Sequence, residues 1–176
     1  TTGIAKLAML SHDNFTEMGY RWLKEVSAND AINWLSLSPP AWIVDQMWGV
    51  GTALVGGMTM NFPETPETVT EDFRELGANV IITSSRFWED LASAIRVKID
   101  DTGFIKRKLF SIAEQIGGRV VDLEAKGQTV PTQLKILKKL ASFIIFRPLL
   151  DRIGCSKFAS AYTGGHPISP DVIRFF

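Results

Sequence analysis

Three short segments carry residue types that could do chemistry. Thr1, Thr2, Gly3 and Lys6 set two hydroxyls, a glycine and an ammonium within a single short run. Hydroxyls and backbone N–H groups donate to phosphate oxygens while an ammonium offsets their charge, so the run suits phosphate; a surface turn would use the same residues. The second segment, Thr163-Gly164-Gly165-His166-Pro167, follows a predicted strand. Paired glycines let a ligand come close to the backbone, and open α/β sheets bind ligands at the carboxyl ends of their parallel strands. A purely structural strand-to-helix turn accounts for it equally well. The third, Ser38-Pro39-Pro40-Ala41-Trp42, also falls at a strand's carboxyl end and puts a large aromatic where a pocket wall or a core would be.

Other chemistries find no support in the residues. His12 and His166 are far apart, Cys155 is the lone cysteine, and no Cys/His spacing suited to a metal exists. There is no nucleophile elbow for Ser-His-Asp hydrolysis. Cys155 reads as a small buried residue, and a single cysteine excludes an internal disulfide framework and suits a reducing, cytoplasmic compartment. The apolar runs fall far short of the roughly 20 residues that span a bilayer.

The elements that must position these segments alternate short apolar runs with helical stretches, which predicts an α/β fold with a mostly parallel sheet. Asp13 or Asn14 is expected to cap a helix to about Ser27, and Trp34–Ser38 to form a strand. A helix from about Trp42 to Val55 should end at Gly56-Gly57, where a left-handed backbone is needed. Met58–Phe62 is the next expected strand. Thr65 should cap a helix with Pro66 in its first turn, ending at Gly77. Asn79–Thr83 and Lys157–Tyr162 complete the strands, and Ser169 should cap a last helix. Between them, residues 86–153 are dominated by helical periodicity over Phe87–Val97, Phe104–Ile116 and Thr132–Phe146. Breaks are expected at Gly117-Gly118 and Gly127–Pro131. This stretch reads as a helical insertion within a single unit covering residues 1–176.

The 176 residues hold 19 basic and 19 acidic side chains, yet the balance is only global. Residues 1–88 carry 5 Lys/Arg against 10 Asp/Glu; residues 89–176 carry 14 against 9. The basic excess gathers around Lys106-Arg107-Lys108 and Lys135, Lys138 and Lys139. It lacks the stronger basic balance and interleaved aromatics of a nucleic-acid binder. A solvated helix face explains it, as does a peripheral contact with an anionic membrane.

Taken together the segments resemble the adenylate-forming enzymes, and most closely the long-chain fatty acid–CoA ligases. Thr1-Thr2-Gly3-Ile4-Ala5-Lys6-Leu7-Ala8-Met9-Leu10-Ser11-His12 is similar to the second half of the family's phosphate loop and the Met-Leu-Ser-His after it. Ser38–Ile43, Asn61–Val69, Arg86–Glu89, and Thr163–Ser169 with Phe175-Phe176 resemble further family segments in the same order. The resemblance implies a flavodoxin-like subdomain with helices on both sheet faces. It also implies that the chain is an internal piece of a larger ligase whose metal-binding Glu, ribose-binding Asp and catalytic Lys lie elsewhere. No catalytic or metal residue is therefore expected within it, and no turnover or tightly bound cofactor. By position, Thr1, Thr2, Gly3 and Lys6 would meet the ATP phosphates. Gly164, Gly165, His166 and Pro167 would lie along adenine and the acyl carbonyl, and Trp42 and Met47 would wall the acyl chain. For the whole ligase the implied partners are fatty acid, ATP with Mg²⁺, and CoA, without nucleic acid. Excision would expose apolar surface through which copies could associate.

Three positions depart from the family pattern. Ala5 stands for the loop's proline, Leu7 for its second glycine, and His166 for a common alanine. Alanine loosens φ and leucine disfavours φ > 0, which lends weight to a second reading: a non-catalytic α/β binding or scaffold module derived from such an enzyme.

Overall fold

The computed structural model describes residues 7–26 and 32–176. Its frame is a four-stranded, all-parallel sheet in the order β2-β1-β3-β4, from β1 (Asn33–Leu35), β2 (Thr59–Asn61), β3 (Val80–Ser84) and β4 (Ser160–Gly164). The longest pairing runs from Val80 opposite Ser160 to Ser84 opposite Gly164. Strand alternation sends neighbouring residues to opposite faces, and each face has its own core. One face gathers Trp34 and Val80 with Trp22, Val26, Ile32 and Met58; the other gathers Leu35 and Ile81 with Phe73, Ala78 and Trp88. Helices therefore cover both faces. The first is closed by α1 (His12–Glu25), a π-helical segment (Asp45–Gly51) and α2 (Thr52–Gly56). The second is closed by α3 (Val69–Leu76), α4 (Ser85–Asp100) and the short α8 (Pro170–Phe175).

Ring contacts order both cores. Trp22 stands edge-on to Trp34 with centroids 5.4 Å apart, and Phe73 meets Phe158 at 5.5 Å. Fully burying a side chain such as Leu35 contributes about 1.5–3 kcal/mol. Between β3 and β4 the chain also forms α5 (Phe104–Ala125), α6 (Thr132–Ala141), a π-helical turn (Ser142–Phe146) and α7 (Arg147–Arg152). Among the described residues this helical arm contributes nothing to either sheet core. It is joined through Phe110 against Phe175, and through Arg174, whose Nη2 donates to Asp122 Oδ2 at 2.6 Å.

Several local expectations are corrected. Ser11, not Asp13 or Asn14, caps α1; its hydroxyl accepts from the Asn14 N–H, and the Asn14 side chain accepts from the Ser11 N–H, a reciprocal capping box. Thr65 closes a turn rather than a helix: the Thr68 N–H donates to the Thr65 carbonyl at 3.2 Å, and α3 begins only at Val69. Gly117-Gly118 does not break α5. A methyl at Gly118 would lie 3.0 Å from Arg174 Nε, so the missing side chain lets α8 approach, and that packing offsets the roughly 1 kcal/mol glycine penalty. Half of the expected Trp42–Val55 helix, Asp45–Gly51, is wound as a π-helix. Gly57 and Gly77 do end their helices in the left-handed region, at φ of 68° and 60°.

Candidate functional site

Parallel strands bring their carboxyl ends to one edge, and there the chain opens a cleft of about 580 Å³. Leu37 follows β1, Pro63 through Pro66 follow β2, and Thr83 and Ser84 end β3; Arg86, Phe87 and Asp90 of α4 and Val69 of α3 close the sides. Ser84 does double duty. Its hydroxyl accepts from the Phe87 N–H at 3.4 Å, capping α4, while the residue lines the cleft. That turn also aims the α4 N-terminus, with its partly positive dipole end, toward the same edge. Arg86 Nε lies 3.7 Å from Asp90 Oδ2, and both side chains are exposed, so the pair contributes little to stability.

The segment Gly164–Pro167 sits one strand over. Gly164 is paired with Ser84, so the glycine pair straddles the end of β4 instead of lying in a loop beyond it. The strand starts at Ser160, later than expected, because residues 155–158 are used in turns before it. A methyl at Gly164 or Gly165 would meet no atom within 4 Å, and Gly165 takes φ of 89°. Gly165 is thus explained by backbone geometry. Gly164 has neither a crowding neighbour nor a positive φ to require it, which leaves room for a ligand against the backbone. His166 and Pro167 are exposed beside it.

Trp42 opens the helical stretch after β1, its N–H donating to the Pro39 carbonyl at 2.8 Å, and its ring is 58% exposed. Met47 is half-buried within the π-helical segment. Neither lines the cleft, nor do Gly164 to Pro167, although all follow carboxyl ends of strands. Thr1, Thr2, Gly3 and Lys6 lie outside the described residues.

Sequence reasoning missed a buried polar cluster behind Trp42. Asp45 is 3% exposed, and its carboxyl lies near Ser36, Trp34 and Ser38 without closing a full hydrogen bond to any of them. Trp34 Nε1, Ser36 Oγ and Thr52 Oγ1 are likewise buried without a hydrogen-bond partner. Burial pushes the Asp45 carboxyl above its ordinary value, and the Ser36, Trp34 and Ser38 groups pull partly the other way. An acidic residue on the inner side of a helix of irregular period could not be foreseen from a regular 3.6-residue repeat. Cys155 is buried, and burial pushes its thiol up to about 12.

A parallel sheet with helices on both faces and a cleft at its carboxyl edge define an α/β protein of the open-sheet kind, the kind whose ligands bind at that edge. The family is then fixed by comparison: the model for "AMP-binding enzyme" matches residues 1–176, and the chain belongs to that family of adenylate-forming enzymes. Among curated proteins it is similar to long-chain-fatty-acid–CoA ligase ACSBG2 of Xenopus laevis, 25% identical over 183 residues, covering 100% of this chain and 24% of that protein. The human ACSBG2 is 25% identical over 184 residues, covering 100% and 27%. The rat ligase ACSBG1 is 26% identical over 187 residues, covering 100% and 25%. The chain thus spans about a quarter of the length of these relatives. No solved structure matches it.

Proposed function

We propose that these residues form the ATP- and acyl-facing core of a long-chain fatty acid–CoA ligase. The observation that carries this reading is the match over residues 1–176 to the AMP-binding enzymes, together with relatives named as such ligases. The reaction has two steps. A fatty carboxylate oxygen attacks the α-phosphorus of ATP, and the bond to pyrophosphate breaks. The CoA sulfur then attacks the acyl-adenylate carbonyl carbon, and the bond to AMP breaks. Both steps bring anions together, so positioning and charge neutralisation supply most of the rate.

In this reading Thr1, Thr2, Gly3 and Lys6 hold the β- and γ-phosphates. Gly164, Gly165, His166 and Pro167 lie along adenine and the acyl carbonyl. Trp42 and Met47 wall the acyl chain, where each buried methylene contributes about 0.8 kcal/mol. Mg²⁺ arrives with ATP. Among the described residues no group of three His, Cys, Asp or Glu side chains converges, so none is assigned to the metal and no step is derived through it. The catalytic groups come from the remainder of a longer protein, and the chain by itself is inactive. In this reading residues 86–153 are the helical insertion between β3 and β4, of which α4 packs on the sheet while α5 to α7 form the arm. A cytoplasmic setting accords with the free, buried Cys155. Among the described residues no helix is long and apolar enough to cross a membrane.

The test is ATP–pyrophosphate exchange by the full-length gene product. Exchange that depends on added medium- or long-chain fatty acid is expected. Its absence across that range sinks the ligase reading and favours the binding or scaffold module to which Ala5 and Leu7 lend support.

A further inference from the structure

Away from the carboxyl edge, a second cavity of about 270 Å³ lies where the arm meets α4 and α8. Its walls are largely apolar, with Ile95, Phe110, Val121, Phe146, Leu150 and Phe175 among them. Three charged residues stand on its rim, Glu114, Lys138 and Arg174. Two of these are already paired: Glu114 with Arg96 at 3.6 Å, and Arg174 with Asp122 at 2.6 Å. Among the described residues the Lys138 ammonium has no ion-pair or hydrogen-bond partner. Ser142 also lines the cavity, one turn further along the same helical face, and its hydroxyl is equally unengaged. Gly117 forms part of the wall. A methyl there would meet the Phe146 ring at 3.5 Å, an ordinary contact, and φ at Gly117 is not positive. Neither crowding nor backbone geometry therefore calls for a poor helix former in the middle of α5; its missing side chain keeps the cavity open.

We propose that this cavity binds a single-chain aliphatic carboxylate, at a site separate from the acyl wall assigned to Trp42 and Met47. The tail lies among the rings and aliphatic side chains, and the carboxylate accepts from the Lys138 ammonium and the Ser142 hydroxyl. Size and charge choose the occupant. The volume falls near the lower bound of about 300 Å³ for small-molecule sites, which suits a slender chain rather than a fused-ring ligand. The rim charge left unpaired is positive, so an anionic head is matched and a cationic one repelled. The site shares no residue with those assigned to ATP or the acyl chain, so it stands apart from the ligase reading.

Isothermal titration of the full-length gene product with sodium decanoate, without ATP, tests it. One saturable equivalent is expected that Gly117→Leu removes by filling the cavity, with far-UV circular dichroism confirming the fold. From hexanoate to decanoate the affinity of this equivalent should rise about fourfold per methylene. Lys138→Gln, an exposed substitution that leaves the fold alone, should weaken it by about tenfold. Decyltrimethylammonium should bind far more weakly than decanoate. Three results would overturn the proposal. One is a decanoate isotherm that is absent, or that neither Gly117→Leu nor Lys138→Gln alters, which would put any bound ligand elsewhere. Another is equal binding of decyltrimethylammonium, which would make the cavity an apolar sink without selection for a head group. The last is loss of fatty-acid-dependent ATP–pyrophosphate exchange in Gly117→Leu, which would make this the substrate's own site and not a second one. A parent protein without any exchange leaves the decanoate isotherm readable, so the two readings fail separately.

Discussion

Asp45 is an acid enclosed where its charge is poorly served, and this sets a sign for stability against pH. Burial raises its folded pKa above the ordinary 3.8, so the folded chain holds this proton more tightly than the unfolded chain does. Its contribution is therefore most favourable below that ordinary value. It declines as pH rises from there through the raised folded value, then stays level. Asp45→Asn removes the ionisation, so the variant should melt higher than the parent at about pH 7 and the gap should close toward about pH 4. Thermal melts across that range decide the matter; a gap that does not change with pH would show that Asp45 is not the titrating group. Cys155 offers a second residue-scale check. With the thiol pushed up to about 12 and the side chain 7% exposed, almost no thiolate meets solvent near neutrality. Iodoacetamide should label Cys155 slowly in the native protein and rapidly in denaturant, and fast native labelling would contradict the burial described above.

At the scale of elements, α1 and the π-helical segment touch through glycines, and the contact sorts two similar substitutions. A methyl at Gly51 would sit 2.8 Å from the Phe15 carbonyl oxygen, a backbone atom that moves only if α1 moves. At Gly49 the near atom, also at 2.8 Å, is Met60 Cε, the free end of a flexible side chain. Gly51→Ala should cost about 1–3 kcal/mol, while Gly49→Ala should be close to neutral, readable as a difference in urea midpoints. The same distinction explains what was legible in the sequence. Gly57 and Gly77 end helices because of their own backbone geometry, which follows from the local pattern. Gly51 and Gly118 serve a neighbouring helix, and no local pattern reveals a neighbour. Thus all four strands and both helical layers were readable, whereas α5 was expected to stop at Gly117 and the π winding of Asp45–Gly51 was not foreseen. The site divides in the same way. Gly164 and Gly165 stand out by composition, but Thr83, Ser84 and Arg86 enter the cleft only because β1, β2 and β3 run parallel and bring their carboxyl ends to one edge.

For the molecule as a whole, the acidic and basic halves of the sequence correspond broadly to two mechanical parts. The sheet with its two aromatic cores is built largely from the first 88 residues, closed by β4 and α8. The basic arm of α5 to α7 hangs on Phe110, Arg174 and a half-exposed pair, Arg96 Nη2 to Glu114 Oε1 at 3.6 Å. Ion pairs so exposed contribute little, and the arm buries few large side chains of its own, with only Phe110 and Val120 among those of α5. Such a part opens as a separate cooperative unit, at a lower free energy than the sheet. Composition makes the two parts easy to tell apart. All five tryptophans, Trp22, Trp34, Trp42, Trp48 and Trp88, belong to the sheet half or its helices, and none to the arm. Fluorescence therefore reports the sheet alone, while far-UV circular dichroism reports the helices of both parts, the arm's included. In a urea titration the dichroism should begin to fall at lower denaturant than the tryptophan emission shifts. Arg174→Ala, which cuts the tie to Asp122, should widen that interval. Coincident transitions in both proteins would instead make the arm and sheet a single two-state unit.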